Sequence, residues 1–204
     1  MAEMGMMDHI AAHSVQVCLV ASKLADLLWD RGIKIDRRVV YSAALLHDIT
    51  KTRSFETGED HAATGAELLR SLGYPLPAGI VAQHVRLETF PHPLEPPGEA
   101  EIVNYADKRV IHDRVGSLED RRRYIIDRYG RDPVRRNWIR RMFQDTFLLE
   151  MRIFSLLDIA PDELGALVKS PYESMELDAF RYFALGRRSR EKDSTGPAPE
   201  QAMP

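Results

Sequence analysis

Residues 44–51 read ALLHDITK, an apolar helical segment that ends on an adjacent histidine and aspartate, His47 and Asp48. Ala44 and Val40 precede His47 by one and two turns, so the pair falls on the face a helix would bury. The same conflict between position and polarity recurs outward along the chain. His13 lies on the stripe Ile10, Val17, Ala21, Leu24 and Leu28, and His61 leads the stripe Gly65, Leu68 and Leu72. His84 sits between Ile80 and Leu87, and Val103 and Val110 bracket Asp107. Apolar residues keep this helical spacing through most of the chain, and no run of alternating β-branched residues competes with it. The fold class is therefore all-α.

Burying one such group without a partner costs several kcal/mol, and a buried ionised carboxylate costs more. Six of them scattered through an interior would be hard to stabilise. If they converge, one divalent cation satisfies them together, because neutral imidazole nitrogens and carboxylate oxygens are the donors that borderline metals accept. Convergence predicts a metal centre.

The spacing predicts a first helix from Asp8 to Trp29, stopped near Gly32, and a second after the N-cap Asp36 that carries Val39 to Asp48. Lys51 to Glu59 reads as a loop. Asp60 caps a third helix, His61 to Leu72, ended by Gly73. A short fourth covers Ala78 to Leu87, before a proline-rich loop from Phe90 to Pro97. Further helices are expected over Glu99 to His112, Ser117 to Tyr129, Asp132 to Leu157, Pro161 to Val168 and Glu176 to Leu185. This divides the chain into a metal-binding core over residues 1–116 and a helical extension over 117–186 packed on it. A disordered tail is expected over 187–204, where Gly196, Pro197 and Pro199 interrupt a polar stretch.

With 204 residues, 44% hydrophobic and 29% charged, the chain is long enough for one full core. A net charge of -3 gives no global attraction to nucleic acid or anionic lipid. The lone Cys18 excludes an intrachain disulfide, fits a reducing compartment and reads as core packing. MAEMGMMDHI lacks the basic flank and apolar run of a secretory signal, and no stretch of about 18 apolar residues predicts a membrane span. A cytoplasmic location is the expectation. Arginines gather between Arg121 and Arg141, but Asp120, Asp127 and Asp132 interleave and no aromatic stacking series accompanies them. A solvated face, or a surface for a polyphosphate tail or a partner subunit, is expected there rather than a nucleic-acid tract. A homodimer is left open.

Five segments carry a family resemblance: HSVQV from His13, ALLHDITK, HAATGAELL from His61, VAQH ending at His84, and IVNYADK from Ile102 to Lys108. Together, over roughly residues 9–112 and in the same order, they resemble the HD-domain phosphohydrolase superfamily, particularly its bacterial HDIG-type members. The resemblance implies an HD-domain-like helical bundle in which His13, His47, Asp48 and Asp107 hold one metal. Members with a second metal use the position of Asp48 as a bridge and place histidines where His61 and His84 stand. Two departures matter. Thr50 occupies the glycine position of the HDIG pattern, and Val85 follows His84 where some dinuclear members carry a tandem histidine, which leaves a second site one ligand poorer. His92, in the proline-rich loop, and His9, one turn before His13, are weaker ligand candidates, and His112 has no motif support.

The chemistry so implied is hydrolysis of a nucleotide or related small-molecule phosphoester by a metal-activated water. Asp48 would ligate and accept a proton, Lys51 is placed to meet a phosphate oxygen, and Arg86 is a weaker substrate-binding candidate. The expected cofactor is a divalent transition metal: iron, manganese, cobalt, nickel or zinc. A non-catalytic metal- or nucleotide-binding regulatory module would need most of the same groups and is the competing reading.

Overall fold

The computed structural model describes residues 1–89 and 95–193. Its helices are α1 (Asp8–Asp30), α2 (Arg37–Leu46), α3 (Lys51–Thr57), α4 (His61–Ser71), α5 (Pro75–Val81), α6 (Glu99–Arg109), α7 (Leu118–Tyr129), α8 (Pro133–Phe154) and α9 (Met175–Asp193). Two strands, β1 (Val110–Ile111) and β2 (Arg114–Val115), interrupt the all-helical chain as an antiparallel hairpin with Val110 opposite Val115. Tight 3-10 turns occupy Ala2–Met4, Pro161–Leu167 and Pro171–Glu173.

Helix starts follow local chemistry. The Asp36 and Asp60 side chains each accept hydrogen bonds from two backbone amides of the first turn that follows. Ser117 and Asp132 cap α7 and α8 by accepting from one amide each, those of Asp120 and Arg135, and Pro133 fills the first position of α8, where its missing N–H costs nothing.

α1 is the axis of the fold: α2, α6 and α9 all pack on it. Its length and apolarity alone would suit a membrane span, yet 72% of the apolar window is buried inside the protein, as expected of a core helix. Val17, Ala21, Leu24 and Leu28 of α1 join Val40 and Ala44 of α2, Ile102 and Ala106 of α6, and Ile139, Phe143 and Ile153 of α8 in one apolar cluster. A second cluster seats Leu177 and Phe180 of α9 on Ile10, Ala11 and Val15 of α1. The helices beyond residue 116 thus share the core of those before it. Cys18 is a buried free thiol within it.

A buried ion pair locks α6 to α8. The Arg109 guanidinium donates to Glu150 Oε2 at 3.1 Å, to the carbonyls of Gly116 and Pro161 at 2.7 and 2.8 Å, and to the Tyr105 hydroxyl. The charge is spread over enough partners to be tolerated in the interior.

Several boundaries differ from the sequence expectations. α2 stops at Leu46, and residues 47–50 form a tight turn, so His47 and Asp48 lie just past the helix. The expected loop after it contains a helix, α3, closed by Gly58 at φ 72°. α5 starts on Pro75 and ends at Val81, so His84 lies beyond the helix that was expected to carry it. α6 ends at Arg109, and the hairpin takes the residues expected to continue it. α9 runs through Asp193, so residues 187–193 are helical rather than part of the expected disordered tail. The rest of that tail, 194–204, and His92 lie outside the described residues.

Candidate metal centre

Five segments deliver the expected ligands to one point. α1 carries His13, the turn after α2 carries His47 and Asp48, the first residue of α4 is His61, the bend after α5 holds His84, and α6 carries Asp107. His13 Nε2 lies 3.2 Å from Asp107 Oδ1, and His47 Nε2 lies 3.8 Å from the same oxygen and 3.3 Å from Asp48 Oδ2. On the other side, Asp48 Oδ1 is 3.3 Å from His61 Nε2 and 3.6 Å from His84 Nε2. Two overlapping triads result, His13–His47–Asp107 and His47–Asp48–His84, with ligand atoms in each within 4.8 Å of one another. The interior placement is extreme, since His47 and Asp48 are both 0% exposed.

The protonation pattern shows what such a cluster requires. Nδ1 of His13, His47 and His84 faces the backbone carbonyl of His112, Ala44 and Val81 at 2.8, 2.7 and 2.7 Å. A carbonyl only accepts, so each Nδ1 carries a proton, and wherever the ring is neutral its lone pair is left on Nε2. These Nε2 atoms point at carboxylate oxygens, which are also acceptors. His47 Nε2 and Asp48 Oδ1 are accordingly buried with no hydrogen-bond partner. Neutral rings aimed at carboxylate oxygens, with their outer nitrogens tied to carbonyls, form a set of donors that could hold a divalent cation.

A family model described as HD domain matches residues 10–110. The chain belongs to the HD-domain superfamily. HD domains bind divalent metals, and the match spans every ligand named above. Among curated proteins, an uncharacterized protein of Methanocaldococcus jannaschii is 32% identical over 76 residues, which is 37% of this chain and 44% of that protein. A protein of Picrophilus torridus named tRNA (cytidine(56)-2'-O)-methyltransferase is 32% identical over 134 residues, 60% of this chain and 36% of its own length. The chain thus spans less than half the length of either relative. No solved structure matches.

The electrostatics of the HD centre keep both carboxylates ionised and two of its imidazoles neutral, the forms that can hold a cation. Burial pushes His84 down to about 4 and lowers His13, which keeps both imidazoles neutral near pH 7. Burial also opposes charge on His47, but Asp48 and Asp107 outweigh it and hold its pKa above the usual histidine value. Asp48 is held well below the carboxylate range: Lys51 and His47 overcome the desolvation that would raise it. Asp107 is held low likewise, by His13, Lys108 and Arg121 against its burial.

Around the ligands lies a ring of cations and ties. Lys51 Nζ donates to Asp48 Oδ2 at 2.7 Å. Lys108 Nζ is 3.6 Å from Asp107 Oδ2, and Arg121 Nη2 is 3.4 Å from Asp107 Oδ1. Thr50, at the glycine position of the HDIG pattern, donates through Oγ1 to the carbonyl of His61 at 2.9 Å. Its side chain therefore anchors the start of α4 beside the centre.

The centre opens into a cleft of about 520 Å³, whose far wall is α7 and α8, with Tyr124, Arg128, Tyr129, Arg135 and Trp138 facing it. Arg86 does not line this cleft. It is exposed and lines a neighbouring cavity of about 300 Å³ that shares Val85, Trp138 and Met142 with the cleft. His9 lies at the exposed rim and joins neither triad.

Sequence reasoning missed three contributors. Lys108 and Arg121 were passed over because nothing local marks a cation as buried. His112 supplies its carbonyl to His13, presented from a hairpin turn at φ 57°. The β-branched Val110, Ile111 and Val115 flanking a two-residue His-Asp turn were the available signal for that hairpin.

Proposed function

We propose that the protein is a metal-dependent phosphohydrolase acting on a nucleotide or related phosphoester, with His13, His47, Asp48 and Asp107 holding one metal and His61 and His84 able to join Asp48 around a second. The observation that carries this reading is the acceptor-lined centre at the base of a cleft whose other walls are cationic and aromatic. A bound divalent ion would supply Lewis acidity, lowering the pKa of a water toward about 7. The protein does the rest. As the water oxygen forms a bond to phosphorus and the ester P–O bond breaks, Asp48 accepts the water proton, and the leaving oxygen takes a proton from solvent. Lys51, paired with Asp48 and facing the cleft, meets a phosphoryl oxygen. Tyr124, Tyr129 and Trp138 line the cleft, and an aromatic lining of this kind suits a nucleotide base better than a bare sugar phosphate.

A screen of the purified protein tests the reading. Nucleoside monophosphates, dinucleoside polyphosphates, cyclic dinucleotides and p-nitrophenyl phosphate are each incubated with manganese, cobalt, nickel, zinc or ferrous iron, and with chelator. Turnover of at least one substrate, abolished by the chelator, is the expected result. Tight nucleotide binding without product under every metal would instead establish a regulatory module.

The relative named as a tRNA methyltransferase favours a second reading, in which RNA carries the phosphoester. Arg128, Arg131, Arg135 and Arg140 are exposed along α7, α8 and their junction, where they could follow a phosphate backbone. RNA binding that weakens with salt and is lost in an Arg135→Ala/Arg136→Ala double variant would support it.

A further inference from the structure

We propose that Arg121, from a helix outside the matched HD region, binds the phosphoryl group undergoing transfer, and that the group it fits is a dianionic phosphomonoester. The proposal rests on the phosphohydrolase reading above and names the substrate class for the same site.

Arg121 stands in the first turns of α7, which the Ser117 cap and the β1–β2 hairpin set beside the centre. It is 8% exposed and lines the cleft that also holds His13, Asp48, His61 and Asp107. Its bond to Asp107 Oδ1, at 3.4 Å, is long for a charge-assisted hydrogen bond, which is about 2.7–2.9 Å at its best. Its Nε is buried without any hydrogen-bond partner. Nε and Nη2 form one edge of the planar guanidinium, the fork that matches two oxygens of a phosphate. A buried guanidinium with that edge poorly used is costly unless a ligand completes it. Tyr124, with its ring 5.6 Å from the guanidinium carbon, stacks against the group and restrains it in place.

Charge identifies the phosphoryl class. Lys51, Lys108 and Arg121 face the two carboxylates Asp48 and Asp107, so the cluster carries one positive charge in excess before any metal binds. One divalent ion raises the excess to three. A phosphodiester returns a single negative charge. A phosphomonoester, whose second pKa is about 6, returns close to two at neutral pH and leaves less uncompensated charge in a buried site.

The test uses metal-loaded wild type, Arg121→Gln and Arg121→Lys. Elemental analysis reads metal content, calorimetry reads binding of inorganic phosphate, and kcat/KM is compared on p-nitrophenyl phosphate and bis(p-nitrophenyl) phosphate. The expected result is unchanged metal content in both variants, with phosphate affinity down about tenfold or more and monoester kcat/KM down on the order of 10²–10³-fold in Arg121→Gln. Arg121→Lys should fall between, and the wild type should prefer the monoester. Unchanged phosphate affinity, loss of metal together with activity, or failure of both variants to fold would overturn the proposal, because Arg121 would then serve only Asp107 or the fold. A wild type that prefers the diester overturns the substrate class. Phosphate binding that depends on Arg121 in a protein that turns over none of the screened substrates would support the anion site while removing the hydrolase reading. An active wild type insensitive to Arg121 would do the reverse.

Discussion

Asp48→Ala is expected to lower turnover on the order of 10⁴-fold and to strip the metal, while leaving the helices in place. Asp48 links the His47 side of the centre to the His61 and His84 side, as His47 links the two triads. Oδ2 faces His47 and Lys51, and Oδ1 faces His61 and His84. Removing it takes away a ligand and the proposed proton acceptor in a single change. The fold should survive, because the substitution also removes a buried negative charge, and neither apolar cluster includes the residue. Kinetics, elemental analysis and circular dichroism on the purified variant check the three parts of this expectation. His61→Ala provides the contrast. It sits at the more open side, with its side chain 22% exposed, and its loss should spare the metal held by His13, His47 and Asp107.

Removing the metal from the wild type should destabilise it by several kcal/mol. An ion present at 1,000 times its dissociation constant contributes about 4 kcal/mol through binding to the native state alone. For a chain of this size that corresponds to a fall in Tm of about 10 °C. The stripped protein should also become acid-sensitive. His84 titrates at about 4 in the folded state, against roughly 6.5 when unfolded, so the unfolded chain binds the extra proton between those values. Stability therefore declines as pH falls from 6.5 toward 4, by about 2 kcal/mol at pH 5 from this imidazole alone. His13 acts in the same direction and His47 in the opposite one. Urea denaturation at pH 7 and pH 5, with and without metal, measures both effects, and His84→Gln should shrink the acid loss of the stripped protein.

How much of this was legible in the sequence depended on whether the signal was local. His13 and Asp107 could be picked out because each is a polar residue on an apolar stripe of a long helix, and α1 and α6 are helices there. His84 was placed correctly in the cluster for a partly wrong reason. Leu87 extended the apparent period, whereas Pro75 starts α5 early and the helix has ended by Val81. α3 was misread as a loop because Lys51, Thr52, Arg53 and Ser54 show no apolar periodicity, and a seven-residue helix needs none when its neighbours hold it. The cations were harder still. Lys108 and Arg121 resemble solvated charges in sequence, and only packing of α7 against α6 reveals Arg121 as an inward-facing group. Arg86 shows the limit of sequence proximity: two residues after His84, it lies around a bend, exposed and lining the neighbouring cavity.

The central claim is that His13, His47, Asp48 and Asp107 share one cation. Anomalous diffraction at the absorption edge of the bound metal, from crystals of metal-loaded protein, tests it most directly. The account predicts a peak about 2.0–2.2 Å from His13 Nε2, His47 Nε2 and an oxygen of each aspartate. Metal found elsewhere on the chain, with these four side chains bonded only to protein or water, would contradict it.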